Sequence, residues 1–347
     1  MIDLSSDTVT QPSAEIRRFM AEAPVGDEQK REDPSVNCLQ EMVAELTGKD
    51  AALYLPSGTM CNAIGVKLHT QPGDKIVVDR SAHIYIAETG GPGLLAGVMT
   101  ALVDGERGVF TSDQVQEAVL PSGSLNNAST PLVCIENTHN RGGGRVWPLE
   151  TFQAVTATAR GLGMKTHLDG ARLLNAVVAS GVSAAVWAAD VDTVWVDLSK
   201  GLGAPVGAVL AADDDTIERA RRYKQMFGGA MRQAGIIAAG RIYALEHNVA
   251  RLAEDHEHAR LLARGLAGIP GIHLDPAKVE TNIVFFDVGG TGLTAQEFND
   301  RMMAQGVRMA AGGYGSTLLR AVTHLDISRL DVEGVLERAA DVIRSAA

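Results

Sequence analysis

The sequence predicts an α/β protein with a mostly parallel sheet, and three observations point there. From about residue 50 to 210, short β-rich runs alternate with longer helical patterns, the rhythm of strand–helix–strand crossovers. Hydrophobic residues make up 46% of the chain against 21% charged, which excludes a disordered or fibrous protein and supplies a large core. The 347 residues are more than one core comfortably organises, so the chain is expected to divide into a large unit over 1–250 and a small one over 251–347.

The strands are expected at "KIVV" (75–78), "GVMTAL" (97–102), "PLVCIE" (131–136), "KTHLD" (165–169), "DTVWV" (192–196) and "VGAVLAA" (206–212). Between them, Pro148 opens a helix over 148–162 and Gly181 closes another over 171–180. After about 214 comes a charged helix, then one long helical stretch over 229–266 that Gly268, Pro270 and Gly271 stop. The remainder, from "TNIVFFDV" through "VRMAA" and "TLLRAVTH" to "RLDVEGVLERAADVIRS", alternates strand and helix as a small α+β unit.

Several function classes fall away on composition. A net charge of −11 disfavours nucleic acid or an anionic membrane as partner. The start "MIDLSSDTVTQP" lacks the basic and apolar regions of a signal peptide, and no run reaches the roughly 20 apolar residues of a membrane span, so a cytoplasmic protein is expected. Cys38, Cys61 and Cys134 are odd in number and widely spaced, which suits reduced, buried thiols rather than disulfides or zinc. His256 and His258, two apart in "EDHEH", point different ways on a helix, so a solvated charged face is expected there and no metal.

The chemistry concentrates where strands end. "LPSGTMCN" precedes a helical run, so Ser57, Gly58 and Thr59 offer backbone N–H groups and a hydroxyl at a helix start, a seat for phosphate, although the same letters make an ordinary helix cap. "GGPG" (90–93), "RGGGR" (141–145) and "GGTG" (289–292) lack dinucleotide or P-loop spacing and read as turns. In "THLDGARLLN", Asp169 closes a buried strand ahead of a glycine turn and Arg172; a cap paired to Arg172 explains it as well as a catalytic acid does. Lys200, in "VDLSKGLGAP" after the next strand, tips the balance. An acid, a phosphate loop and a lysine at neighbouring strand ends suit pyridoxal 5′-phosphate: the lysine forms a Schiff base, the aspartate keeps the pyridine nitrogen protonated, and the phosphate sits on the helix start.

The ordered motifs "DLSSDTVT" (3–10), "VGDEQKREDPSVN" (25–37), "SGTMCN" (57–62), "SAHIYIAETGG" (81–91), "IENTHN" (135–140), "HLDGARLLNA" (167–176), "LSKGLGAPVG" (198–207), "GGAMRQAG" (228–235), "ARLAEDH" (250–256) and "RAVTHLDIS" (320–328) resemble the low-specificity L-threonine aldolases over nearly the whole chain. These are pyridoxal-phosphate enzymes of the aspartate-aminotransferase fold type, which implies a seven-stranded, mostly parallel sheet and a small C-terminal domain. The resemblance implies that Lys200 carries the cofactor, that Ser57, Gly58 and Thr59 hold its phosphate, that His83 stacks on the ring and that Asp169 pairs with the ring nitrogen. Arg172 would lie near the phenolic oxygen and the substrate carboxylate, which Ser6 and Arg320 would also bind; Arg232 would reach the phosphate of a neighbouring subunit in a dimer or, commonly, a tetramer. The implied reaction is cleavage of L-threonine and other L-3-hydroxy amino acids to glycine and an aldehyde, with His83 or a water as base.

The chain departs from that family's pattern in three places. Ser5 replaces an arginine, Lys30 and Arg31 stand where tyrosine and glycine are usual, and Asn126 stands where a histidine contacts the substrate hydroxyl. The rival readings are a β-eliminating lyase, an aminotransferase or a serine hydroxymethyltransferase of the same fold, and, from another class, a non-enzymatic α/β protein that binds a phosphate ligand.

Overall fold

A computed structural model describes residues 1–345 apart from 120–124, 312 and 314. Its strands in chain order are β1 (Ile2–Asp3), β2 (Ala51–Leu55), β3 (Lys75–Asp79), β4 (Met99–Val103), β5 (Leu132–Glu136), β6 (Lys165–Gly170), β7 (Thr193–Asp197), β8 (Ala208–Ala212), β9 (Ile283–Asp287), β10 (Val307–Arg308), β11 (Ala310–Ala311) and β12 (Leu318–Val322). Seven of them form one sheet in the order β2-β8-β7-β6-β5-β3-β4. Only β8 runs against the others, pairing antiparallel with both β7 and β2.

Both faces of this sheet are covered, which explains its continuous apolar strands. Val194 and Val196 of β7 join the cluster containing Phe110, Trp147, Phe152 and Trp187, while Trp195 points to the other face with Leu53, Leu55, Ile64 and Leu210. A separate apolar cluster joins the helices Leu252–Ala267, Ala295–Ala304 and Arg329–Arg344 to the three-stranded sheet β11-β12-β9. Leu4 belongs to that cluster, and β1 pairs in parallel with β10, so the start of the chain is tied to residues some three hundred positions later.

Some expectations are corrected. The expected helix over 229–266 is two, Gly235–His247 and Leu252–Ala267; the chain turns at Asn248, whose amide donates to the Leu202 carbonyl at 2.7 Å. Strand β2 was not expected, because "AALYL" lacks β-branched residues. Cys38 is exposed, whereas Cys61 and Cys134 are buried as expected. His256 is buried against Asn175 at 3.1 Å rather than on a solvated face. The "GGPG" turn continues into a wide helical turn over Pro92–Ala96. Among the described residues, no helix is long and apolar enough to cross a membrane.

Candidate active site

The carboxyl-terminal ends of β5, β6 and β7 converge, as open α/β sheets favour for ligand sites. A cavity of about 340 Å³ opens there, and its walls include Ser6, Gly58, Thr59, His83, Arg172, Lys200 and Arg320. Seven residues singled out in the sequence are thus brought together from segments far apart in the chain.

Ser57 caps the helix Gly58–His69 by accepting a hydrogen bond from the Met60 N–H at 3.2 Å. The first-turn N–H groups of Gly58 and Thr59 are those a helix leaves without an intrahelical acceptor, and the helix dipole favours an anion beside them. Gly58 is required by close packing: a Cβ there would lie 2.3 Å from the Trp195 ring. Lys200, just past β7, donates to Asp197 Oδ2 at 2.6 Å, and its Nζ lies 5.6 Å from the centre of a Trp195 ring.

Asp169 is buried near the end of β6 with Oδ1 accepting from the Ala171 N–H at 3.0 Å. Burial first, and then the charge of Glu136, push its carboxyl up to about 6. His83 starts the short helix after β3, where Glu136 Oε2 accepts from its backbone N–H at 2.7 Å. The His83 Nδ1 lies 2.9 Å from Glu88, a buried carboxylate whose hydrogen bond raises the imidazole pKa above its ordinary value.

Arg172 makes a contact that sequence reasoning missed. Its Nε and one Nη each donate to Asp7 at 2.7 Å, a bidentate pair in which both residues are buried, and Asn282 donates to the same carboxylate at 3.0 Å. Although burial opposes it, the Arg172 guanidinium holds the Asp7 carboxyl well below the usual carboxylate range. Removing one partner of such a pair strands a buried charge, so Asp7→Ala is expected to lower unfolding free energy by about 3–5 kcal/mol in urea melts at neutral pH. Because the folded pKa is depressed, this stabilisation is present above the unfolded carboxyl value of about 3.9 and is lost as pH falls well below it. A variant as stable as wild type at pH 7 would show that Arg172 finds another partner.

Arg320, on β12, donates to Asn140 Oδ1 at 3.0 Å and to the Ser5 carbonyl at 2.9 Å. Ser6 accepts from the Thr8 N–H at 3.2 Å. Ser5 itself turns to Asp3, its hydroxyl donating at 2.6 Å. Ser57 and Asp169 do not themselves line the cavity, and neither do Arg232, Arg31 and Asn126. Arg232 is exposed and pairs with Asp27 at 2.9 Å, Arg31 pairs with Glu218 on the surface, and Asn126 is exposed just after residue 125.

Residues 3–288 match the Beta-eliminating lyase family. A low specificity L-threonine aldolase of Escherichia coli K12 is 41% identical over 330 residues, covering 95% of each chain. The chain belongs to the low-specificity L-threonine aldolase family. Low-specificity L-threonine aldolase 1 of Arabidopsis thaliana is 39% identical over 339 residues, covering 96% of this chain and 94% of that protein. The structure of Leishmania major threonine aldolase superposes with a TM-score of 0.83 at 20% identity over all of both chains, which shows that this aldolase-family chain has the same fold.

Proposed function

We propose that this protein cleaves L-threonine, L-allo-threonine and related L-3-hydroxy amino acids to glycine and an aldehyde, using pyridoxal 5′-phosphate. The observation that carries this reading is the cavity in which Lys200, the Gly58 helix start and Arg320 face one space with the buried Asp169 carboxyl at the same sheet edge. The donor set fits the cofactor. An anion seat begins the Gly58 helix, a primary amine stands beside it, and a buried carboxyl crowded by Glu136 gains from a cationic ring nitrogen.

The chemistry that pyridoxal phosphate would supply when bound is an electron sink for the pair left as the substrate Cα–Cβ bond breaks. Lys200 would hold it covalently, Ser57, Gly58 and Thr59 would hold its phosphate, Asp169 would keep its ring nitrogen protonated and His83 would lie against the ring. Arg320 and Ser6 bind the substrate carboxylate. Arg172, two of whose N–H groups are committed to Asp7, would offer its remaining N–H groups to the same carboxylate and to the phenolic oxygen. With Glu88 accepting from Nδ1–H, His83 keeps a lone pair on Nε2, which takes the β-hydroxyl proton directly or through a water. Arg232 acts across a subunit contact on a neighbouring cofactor phosphate, in an assembly of two or four chains. A cytoplasmic location completes the proposal and suits the free thiols of Cys61 and Cys134.

Incubation of the cofactor-loaded protein with L-threonine separates this reading from its rivals. The expected products are acetaldehyde and glycine, without folate. A keto acid and ammonia would instead identify a β-eliminating lyase, and a colourless protein that pyridoxal phosphate leaves colourless would mark a non-enzymatic binder.

A further inference from the structure

Asn62 sits one turn into the helix Gly58–His69 and is fully buried. Its amide has two N–H donors and two acceptor lone pairs, and all four are engaged. Oδ1 accepts from Trp195 Nε1 at 2.7 Å and lies 3.0 Å from His167 Nε2. Nδ2 donates to Glu88 Oε1 at 2.6 Å and to Asp169 Oδ2 at 2.8 Å. An indole nitrogen can only donate and an ionised carboxylate can only accept, so these partners fix which end of the amide is oxygen.

The orientation propagates away from the cavity. His167 must donate from Nε2, so its Nδ1 accepts from the Thr193 hydroxyl at 2.8 Å, and Thr193 in turn accepts from His69 Nε2 at 3.2 Å. Burial brings His167 down to about 3 and His69 down to about 4, so both rings are neutral near pH 7. The row therefore brings aligned dipoles and no net charge. It is also held tightly against the helix that carries Asn62: a Cβ at Gly65 would lie 2.3 Å from the His167 ring.

We propose that Asn62 is a positioning residue for the reaction proposed above: clamped by Trp195 and His167, it aims its N–H groups so that Asp169 stays ionised toward the ring nitrogen of pyridoxal phosphate and Glu88 stays aimed at His83. The need for such a clamp is visible in what surrounds Asp169. Glu136 and Glu88 face it with like charge and disfavour its ionised form, whereas His83 and the Asn62 hydrogen bond favour it. Cys61 and Cys134 add nothing to the charge there, because burial raises both thiols. Asn62 is the neutral donor that touches two of the crowded carboxylates at once, which lets both remain acceptors.

The inference rests on the pyridoxal-phosphate reading, and the test distinguishes the two. Cofactor-free wild type, Asn62→Ser and Trp195→Phe are titrated with pyridoxal phosphate between about pH 5 and 8, and kcat and KM for L-threonine follow over the same range. Asn62→Ser is expected to weaken cofactor binding about tenfold at pH 7, to move the acid midpoint of binding up by about one pH unit, and to lower kcat with KM changed less than about threefold. Trp195→Phe leaves an aromatic ring beside Gly58 and removes the N–H, and should shift the same midpoint upward by less. If Asn62→Ser does not fold, Trp195→Phe carries the test. A folded variant with lower thermal stability but an unmoved acid midpoint and cofactor affinity would reduce Asn62 to packing and overturn the proposal. A wild type that binds no pyridoxal phosphate overturns the functional reading, and this inference with it.

Discussion

Lys200→Ala is expected to lower kcat for L-threonine on the order of 10⁴-fold while leaving the fold intact. The side chain is largely buried and pairs with Asp197, but that carboxylate also accepts from the Ser199 N–H at 2.8 Å and the Ser199 hydroxyl at 2.6 Å, so truncation leaves it hydrogen-bonded and removes chemistry more than packing. The alanine variant should still take up pyridoxal phosphate through the Gly58 helix start, now without covalent attachment. Borohydride treatment followed by denaturation reads this directly: wild type should keep the cofactor on the chain and the variant should release it. Turnover at the wild-type rate in the variant would remove Lys200 from its proposed role.

Asp169→Asn is expected to cost about 10²–10³-fold in kcat with weaker but persistent cofactor binding. The substitution keeps the shape and removes the charge proposed to face the ring nitrogen. It also sets an amide against two existing donors, the Ala171 N–H and Asn62 Nδ2, of which it can accept from only one with its oxygen. The pH dependence has a defined sign. Above about 6 the wild-type carboxyl is ionised and attracts a protonated ring; below that it takes a proton and the attraction is lost. Cofactor affinity of the wild-type apoprotein should therefore fall as pH drops through about 6, and the asparagine variant should lack that limb. An identical limb in both proteins would assign it to another group, with His83 the next to examine.

The residues that could be read from the sequence are those whose role depends on local context. Asp169 lies at the end of a buried strand, Lys200 follows the end of the next and Gly58 opens a helix, positions that strand runs and turn glycines mark. Asp7, Asn62, Glu88 and Asp197 gave no such signal, because their importance comes from partners distant in the chain or from burial that only packing produces. Asp7 looks like one more polar residue in "DLSSDTVT" until it meets Arg172, 165 positions away. His256 misled for the same reason: its neighbours in "EDHEH" suggest water, but its own helical position faces Asn175. The sheet was legible wherever β-branched residues filled the strands and was missed at Ala51–Leu55, where alanine and leucine also suit a helix.

The tie between the first residues and β10 has a consequence for how the protein comes into being. Ser5 offers its carbonyl to Arg320, Asp3 its carbonyl to His324 at 2.8 Å, and Leu4 both donates to the Arg308 carbonyl and accepts from the Val322 N–H. During synthesis, the segment that supplies Ser6 to the cavity and Asp7 to Arg172 must therefore wait, solvent-exposed, until the last strand has left the ribosome. The large sheet has all its strands by residue 212 and can assemble its cofactor-facing edge well before then. The part of the cavity wall formed by Ser6 and Arg320, proposed above to bind the substrate carboxylate, closes last. A nascent chain would thus acquire the means to hold a reactive aldehyde cofactor before it acquires the means to choose an amino acid, and long-range loop closure, rather than formation of the main sheet, would set the moment at which the enzyme becomes selective.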